Sequence, residues 1–349
     1  RSLKIIKTKI LGFHCYNHSK NSGYDKLAYF GNSEYFNADT WRISRINFDS
    51  PLRWIFNIAF EITSIIKSRN VNLVHFIYPE LHFLFAPFFI NKRVVKVGTL
   101  HLDLEWIKNV KSQRYRGIKL FLKRIRYKSL SKLDGIIVLS KDTLQDTKIL
   151  FPNSEVVYIP HGIIDNSYYF RPINQIDSID ILIVGSNYRD INFIQGLLEK
   201  CLNESKNWKF HYIGANREIK SILSGFSNLK ICPFLCEEEY LEKLANAHLL
   251  LLPLTFATAN NALLEAYSVG TQVLVSDILG VKDYLISTSK TFRNINEAFI
   301  LIENMCSKEI EDINRIKIQT LQEGKKFHWK QIATLTSNFY MDLIQRIKV

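Results

Sequence analysis

Between Ala247 and Leu285 the chain sets a polar turn, two asparagines and one carboxylate where a buried strand passes into a helix. The segment AHLLLLPLTFATANNALLEAYSVGTQVLVSDILGVKDYL reads as a strand (His248–Pro253), a turn, a helix (Ala262–Ser268) and a second strand (Gln272–Ser276). The turn Thr258-Ala259-Asn260-Asn261 falls at the helix start. Asn is a favoured N-cap, and a helix start presents free backbone N–H groups and a partial positive charge. That combination binds phosphate. Glu265 follows about one helical turn later, so the segment suits the diphosphate and ribose hydroxyls of a nucleotide. The same residues also fit ordinary αβ packing with Asn as a plain cap.

In the stretch Asn261-Ala262-Leu263-Leu264-Glu265-Ala266, Gly270-Thr271-Gln272-Val273-Leu274-Val275-Ser276-Asp277 and Gly280, the spacing resembles the donor-binding signature of the retaining GT-B glycosyltransferases of group 1. The resemblance implies two Rossmann-like αβα domains facing across a cleft. It also implies a nucleotide-sugar co-substrate, no cofactor and no metal. Glu265 would hold the ribose, and Thr258, Asn260, Asn261 and Leu264 would line the donor. The family's first Glu would fall at Ala257, and Thr-Ala-Asn-Asn in that turn matches a subset of the family.

Further positions take roles from the same resemblance. Ser22-Gly23-Tyr24 follows the first strand, where the family has a Gly-rich loop against donor phosphates or acceptor. The family often places a His near the sugar where Thr99-Leu100-His101-Leu102-Asp103 ends a strand. His101 is therefore expected in the active site, with Glu80 and Glu105 as further candidates. His101-x-Asp103 alone could also suggest metal, but no third ligand is evident. Ile159-Pro160-His161-Gly162 resembles the family's turn at the end of the first domain and puts His161 on the acceptor side. After Ile179–Val184 the family uses Gly-Arg-x-x-x-x-Lys to hold the diphosphate, but here Ser186 and Ile191 occupy the two cationic positions. Arg189 is then the expected phosphate clamp, since a guanidinium grips phosphate as a fork. Arg217 is a weaker second, and Leu235 lies where the family's backbone meets the base.

These residues need an α/β frame, and strand and helix signals alternate throughout. Strands are expected at Ile5–Phe13, Leu73–Ile77, Val94–Thr99, Gly135–Leu139 and Val156–Ile159, then at Ile179–Val184, Lys209–Ile213, Leu229–Cys232, His248–Leu252 and Gln272–Val275. Helices are expected at Tyr24–Tyr29, Leu52–Ser68, Arg116–Ser131, Lys141–Leu150, Ile191–Cys201, Glu237–Ala245 and Ile295–Cys306. Residues 1–172 form the expected first domain and 173–327 the second, with Arg171–Ser178 as linker. Residues 328–349 are expected to form a helix crossing back to the first domain.

With 349 residues and 47% hydrophobic content, the chain can build two cores. No apolar run reaches the length of about 20 residues needed to cross a bilayer. No secretory signal is legible, because Lys4, Lys7 and Lys9 interrupt the first strand. Five scattered cysteines without a CxxC pair point to reduced thiols in the cytosol, with Cys232 and Cys236 as buried small side chains. The formal charge of +13 lies wholly in residues 1–172. No acidic residue occurs between Glu105 and Asp134, where Lys119, Lys123, Arg124, Arg126 and other cations interleave with apolar residues. Such a helix suits an anionic membrane surface or acceptor; a solvated helix face is the other reading. Nucleic acid is not expected, since no binding motif accompanies the charge.

The expected activity is transfer of a hexose from a UDP- or GDP-sugar to a saccharide acceptor, lipid-linked and at the inner membrane face, in glycan synthesis. A non-catalytic GT-B scaffold is the alternative, motivated by Ala257. A dehydrogenase or epimerase is disfavoured by the lack of GxGxxG after the first strand.

Overall fold

The computed structural model describes residues 7–12, 23–29, 33–37, 51–102, 104–111, 115–175, 178–233 and 235–347. The chain divides into two compact units, residues 1–162 with 329–349, and residues 163–328. Each is built around a six-stranded parallel sheet with helices on its faces.

In the first unit the strands are β1 (Thr8–Gly12), β2 (Ser33–Asn37), β3 (Leu73–Ile77), β4 (Val95–Leu100), β5 (Gly135–Val138) and β6 (Glu155–Tyr158). Their order in the sheet is β2-β1-β3-β4-β5-β6. The central strands LVHFI and VKVGTL are buried at every position, as expected where helices cover both faces. The C-terminal helix Trp329–Ile347 packs onto this same sheet. Gly135 leaves room there for Phe339 and Leu343, and Tyr340 Oη lies 2.6 Å from His75 Nδ1. Burial holds the His75 imidazole neutral, with its pKa pushed down to about 3.

In the second unit the strands are β7 (Ile179–Val184), β8 (Trp208–Ile213), β9 (Leu229–Ile231), β10 (Leu249–Leu252), β11 (Val273–Ser276) and β12 (Lys290–Phe292). The order is β12-β11-β10-β7-β8-β9. One core lies under the Asn261–Val269 helix and another under Ile191–Asn203.

The boundary lies ten residues before the expected one. Ile163 N–H donates to the Phe327 carbonyl (2.9 Å), Tyr169 sits in the second unit's core, and Asn166 donates to the Ser268 hydroxyl (3.0 Å). Part of the expected linker is likewise bound into this unit: Ile173 exchanges hydrogen bonds with the Asn314 side-chain amide at 2.7 and 2.9 Å. Strands β2 and β12 were not expected. Both are short edge strands whose sequences, SEYFN and KTF, lack a strong apolar run. The Lys141–Leu150 helix begins with a turn of 3-10 geometry over Lys141–Thr143.

Candidate functional site

In open parallel sheets, ligands bind beyond the carboxyl ends of the strands where the order reverses. In the second unit the reversal lies between β7 and β10. The loop after β7, Gly185–Asp190, meets the loop after β10 there. Arg189 bridges to Leu254, Asp190 N–H donates to the Pro253 carbonyl (2.9 Å), and Thr255 N–H donates to the Tyr188 carbonyl (3.0 Å). Gly185 adopts φ +85, and a Cβ there would stand 2.8 Å from the Arg189 guanidinium.

The structure thus places Arg189 at the reversal point. Its Nε–H donates to the Val184 carbonyl (2.8 Å) and Nη1 to the Asn187 carbonyl (2.9 Å). Two of its N–H groups are spent on backbone and the rest of the fork remains. Burial lowers its pKa, offset by the nearby Tyr212 and Tyr240 hydroxyls.

Asn260 caps the Asn261–Val269 helix, its Oδ1 accepting from Leu263 N–H at 3.1 Å. Thr258 and Asn261 are half-buried beside it. Glu265 is 7% exposed and accepts a hydrogen bond from Tyr240 Oη at 2.8 Å. Burial and the Glu265 charge push the Tyr240 pKa well above its ordinary value, so Tyr240 stays a donor. Leu264 is 0% exposed and belongs to the core, so its side chain does not line the donor as expected. Arg217 is exposed on the first turn of the Arg217–Leu223 helix, which Asn216 caps. Leu235 packs on the core. Cys236 is exposed, not buried as expected; its N–H donates to Glu239 at the start of the Glu237–Asn246 helix (2.8 Å). Ala257 is half-buried, and its carbonyl lies against Gly280.

In the first unit the order reverses between β1 and β3. There Tyr24 sets its ring edge-on to His101 (5.3 Å between centroids), His161 (5.1 Å) and Trp329 (5.1 Å). Tyr78, just after β3, takes left-handed backbone (φ 56) and stacks on His101 at 3.5 Å. That conformation costs a non-glycine residue about 1 kcal/mol and is characteristic of functional sites. His101 Nδ1–H donates to the Thr99 carbonyl (3.0 Å) and His161 Nδ1–H to the Gly162 carbonyl (2.8 Å). In the neutral form both rings therefore keep Nε2 as an acceptor. Gly23 is buried beside Tyr24. Ser22 and Asp103 lie outside the described residues, and Glu105 is exposed at the start of the Glu105–Lys111 helix.

Glu80 is 2% exposed, and its Oε1 accepts from His101 N–H (2.6 Å) and Leu102 N–H (2.9 Å). It positions the His101 strand end. Burial raises its pKa to about 7, more than the backbone donors lower it. The folded state thus holds a proton that the unfolded chain releases near pH 4.5, so stability falls as pH rises from there to about 7 and then levels. Glu80→Gln, which keeps the accepting oxygen, is expected to flatten that slope in melting temperature; an unchanged slope would assign it to other groups.

On the Gly117–Leu130 helix, Lys119 and Arg124 are exposed and Lys123 is half-buried. Arg126 departs from the expected surface role. It is turned inward, and its Nε is buried without a hydrogen-bond partner. Among the described residues no three His, Cys, Asp or Glu cluster to hold a metal, and no helix is long and apolar enough to cross a membrane.

Sequence reasoning missed Tyr78, Tyr240 and Trp329. Only Tyr78-Pro79, at the end of a buried strand, left a local signal.

Residues 27–166 match the sequence model for Glycosyltransferase Family 4, and residues 178–306 match that for Glycosyl transferases group 1. No curated protein sequence matches the chain. Among solved structures, sucrose-phosphate synthase from Thermosynechococcus elongatus superposes with TM-score 0.71 at 14% identity, over 98% of this chain and 100% of that one. Trehalose 6-phosphate synthase from Burkholderia multivorans gives 0.69 at 9% identity, over 99% and 98%. TarM from S. aureus, in complex with UDP among other ligands, gives 0.60 at 14% identity, over 82% of this chain and 58% of TarM. These likenesses identify the two-domain GT-B fold.

Proposed function

The chain belongs, by its two halves, to the family 4 and group 1 glycosyltransferases, and from that premise we propose that it moves a hexose from a nucleotide-sugar to a lipid-linked saccharide, retaining the anomeric configuration. The observation that carries the donor half is the meeting of the loops after β7 and β10 at the reversal of strand order. It gathers the Arg189 guanidinium and the loop leading into the Asn260-capped helix start. Two structures with the same fold were solved with a nucleoside diphosphate, TarM with UDP and a plant starch synthase with ADP, which supports a donor of that class here.

In the reaction, the bond from the anomeric carbon to the diphosphate oxygen breaks and its electron pair leaves with the diphosphate. The acceptor hydroxyl oxygen forms the new bond on the same face, and the departing phosphate oxygen takes its proton. Arg189 and the backbone N–H groups near Asn260 and Asn261 offset the charge growing on the leaving group. This reading uses them in place of a metal ion. Glu265, oriented by Tyr240, accepts from the ribose hydroxyls. With Nδ1–H bound to the Thr99 carbonyl, His101 presents Nε2 to accept from a sugar hydroxyl, and Tyr24 and His161 flank the acceptor side. The basic helix suits a protein peripheral on the cytoplasmic membrane face, in the synthesis of a cell-surface glycan.

The test is thermal stability against UDP-, GDP-, ADP- and CMP-sugars, followed by the anomeric coupling of the product. A ligand at 100 times its Kd stabilises the native state by about 2.7 kcal/mol. A rise with one base supports the donor site; no rise with any of them would favour a non-catalytic scaffold, the reading that Ala257 prompts.

A further inference from the structure

The helix Pro51–Lys67 has two contrasting faces. Phe60 and Ser64 are fully buried, while Ile55, Ile58, Ile62 and Ile66 stand 44–63% exposed along one stripe at helical spacing. Phe89 (65% exposed), and Ile118 and Phe121 on the basic helix (71% and 58%), add to the apolar surface of this unit. Contiguous apolar surface on a soluble protein marks a site of contact.

A cavity of about 270 Å³ lies between this helix, the Pro79–His82 turn and the basic helix, lined by Trp54, Asn57, Ile58, His82, Lys123 and Arg126. Trp54 and Ile58 belong both to its wall and to the exposed surface, so it opens among apolar side chains. Inside, Arg126 Nε and Asn57 Oδ1 are buried without hydrogen-bond partners. Glu61 also lines it, but its carboxylate is taken by the N–H groups of Leu84, Phe85 and Ala86 at 2.8, 2.7 and 2.6 Å. The Glu61 and Glu80 charges nearby offset part of the Arg126 desolvation, but the Nε–H itself stays unpaired, and a buried donor without an acceptor is costly. Lys119, Arg124 and Lys128 are exposed on the same helix, and no acidic residue interrupts it.

We propose that this cavity seats the phosphate headgroup of a membrane lipid on Arg126 and Lys123, while the exposed isoleucine stripe lies in the acyl layer. Phosphate accepts bidentate hydrogen bonds from a guanidinium, and the apolar rim fits a ligand that carries hydrocarbon beside its charge. A soluble phosphate would leave that rim in water. The inference deepens the acceptor side of the transfer reading and rests on it for the lipid's place in the reaction. Vesicle binding needs no donor, so failure here and failure of donor binding are separate results.

The full chain is sedimented with vesicles of phosphatidylcholine alone and with phosphatidylglycerol added. Binding is expected only with the anionic lipid. Doubling Ile55→Gln with Ile62→Gln, both exposed and so compatible with folding, is expected to weaken it roughly tenfold or more. Lys123→Gln should also weaken it, and Arg126→Gln should do so while Arg126→Lys retains part. Circular dichroism checks that each variant folds. Equal binding by the isoleucine variant, or by folded Lys123 and Arg126 variants, would overturn the seat. So would equal binding to phosphatidylcholine alone. Release of the protein by glycerol 3-phosphate at the concentration of the lipid headgroups would assign the cavity to a soluble phosphate instead.

Discussion

Arg189→Ala is expected to lower turnover by roughly 10²–10³-fold, the usual cost of removing one preorganised donor from a developing negative charge. The guanidinium is held by the Val184 and Asn187 carbonyls at 2.8 and 2.9 Å, so it is oriented before any ligand arrives. Losing those two bonds should cost about 1–3 kcal/mol, a drop of several degrees in melting temperature that leaves the protein folded at assay temperature. Arg189→Lys separates charge from geometry. It keeps a cation but not the fork that spans two carbonyls and a phosphate, and should fall between the parent and the Ala variant. The measurements are single-turnover transfer and stabilisation by the nucleoside diphosphate alone. A folded Ala variant with parental turnover would remove Arg189 from the mechanism.

The placement of Arg189 shows what was legible in the sequence and what was not. Arg189 stood out because the loop after a clear strand holds no other cation, but its contact with Leu254 across 65 residues is a product of strand order. The Asn260 cap could be read because capping is local: Asn260 Oδ1 reaches the N–H three residues on. The central strands could be read because full burial demands continuous apolar runs, as in LVHFI. Edge strands carry no such demand, and β2, with the pattern SEYFN, escaped notice. Tyr240 comes to Glu265 from a helix 25 residues earlier, and Trp329 comes to Tyr24 because the C-terminal helix packs on the first unit. No spacing rule encodes either pair. Helical periodicity alone makes Arg126 a surface cation, because it does not show which neighbours cover a given face.

Gly280→Ala is expected to have the second large effect. A Cβ at this position would stand 1.5 Å from the Ala257 carbonyl oxygen and 3.3 Å from Thr258 N, both backbone atoms. No rotamer change can relieve that overlap, so either the Leu279–Tyr284 turn or the 257–258 peptide must move. Val281 and Tyr284 are each 1% exposed and anchor the first of these in the core. The Thr258–Asn261 turn is half-buried and should yield instead, displacing the Asn260-capped helix start. Overpacking of this kind typically costs about 1–3 kcal/mol, so the variant should fold with a lowered melting temperature. Its stabilisation by the nucleoside diphosphate should fall by an order of magnitude or more in affinity, since a displacement near 1 Å is enough to lose about 10² in a positioned reaction. The residue thus matters for ligand binding through the turn it admits, not through any contact of its own. Parental nucleotide affinity in a folded Gly280→Ala protein would show that the Thr258–Asn261 turn does not hold the donor, and would shift the phosphate contact to Arg189 and the loop after β7.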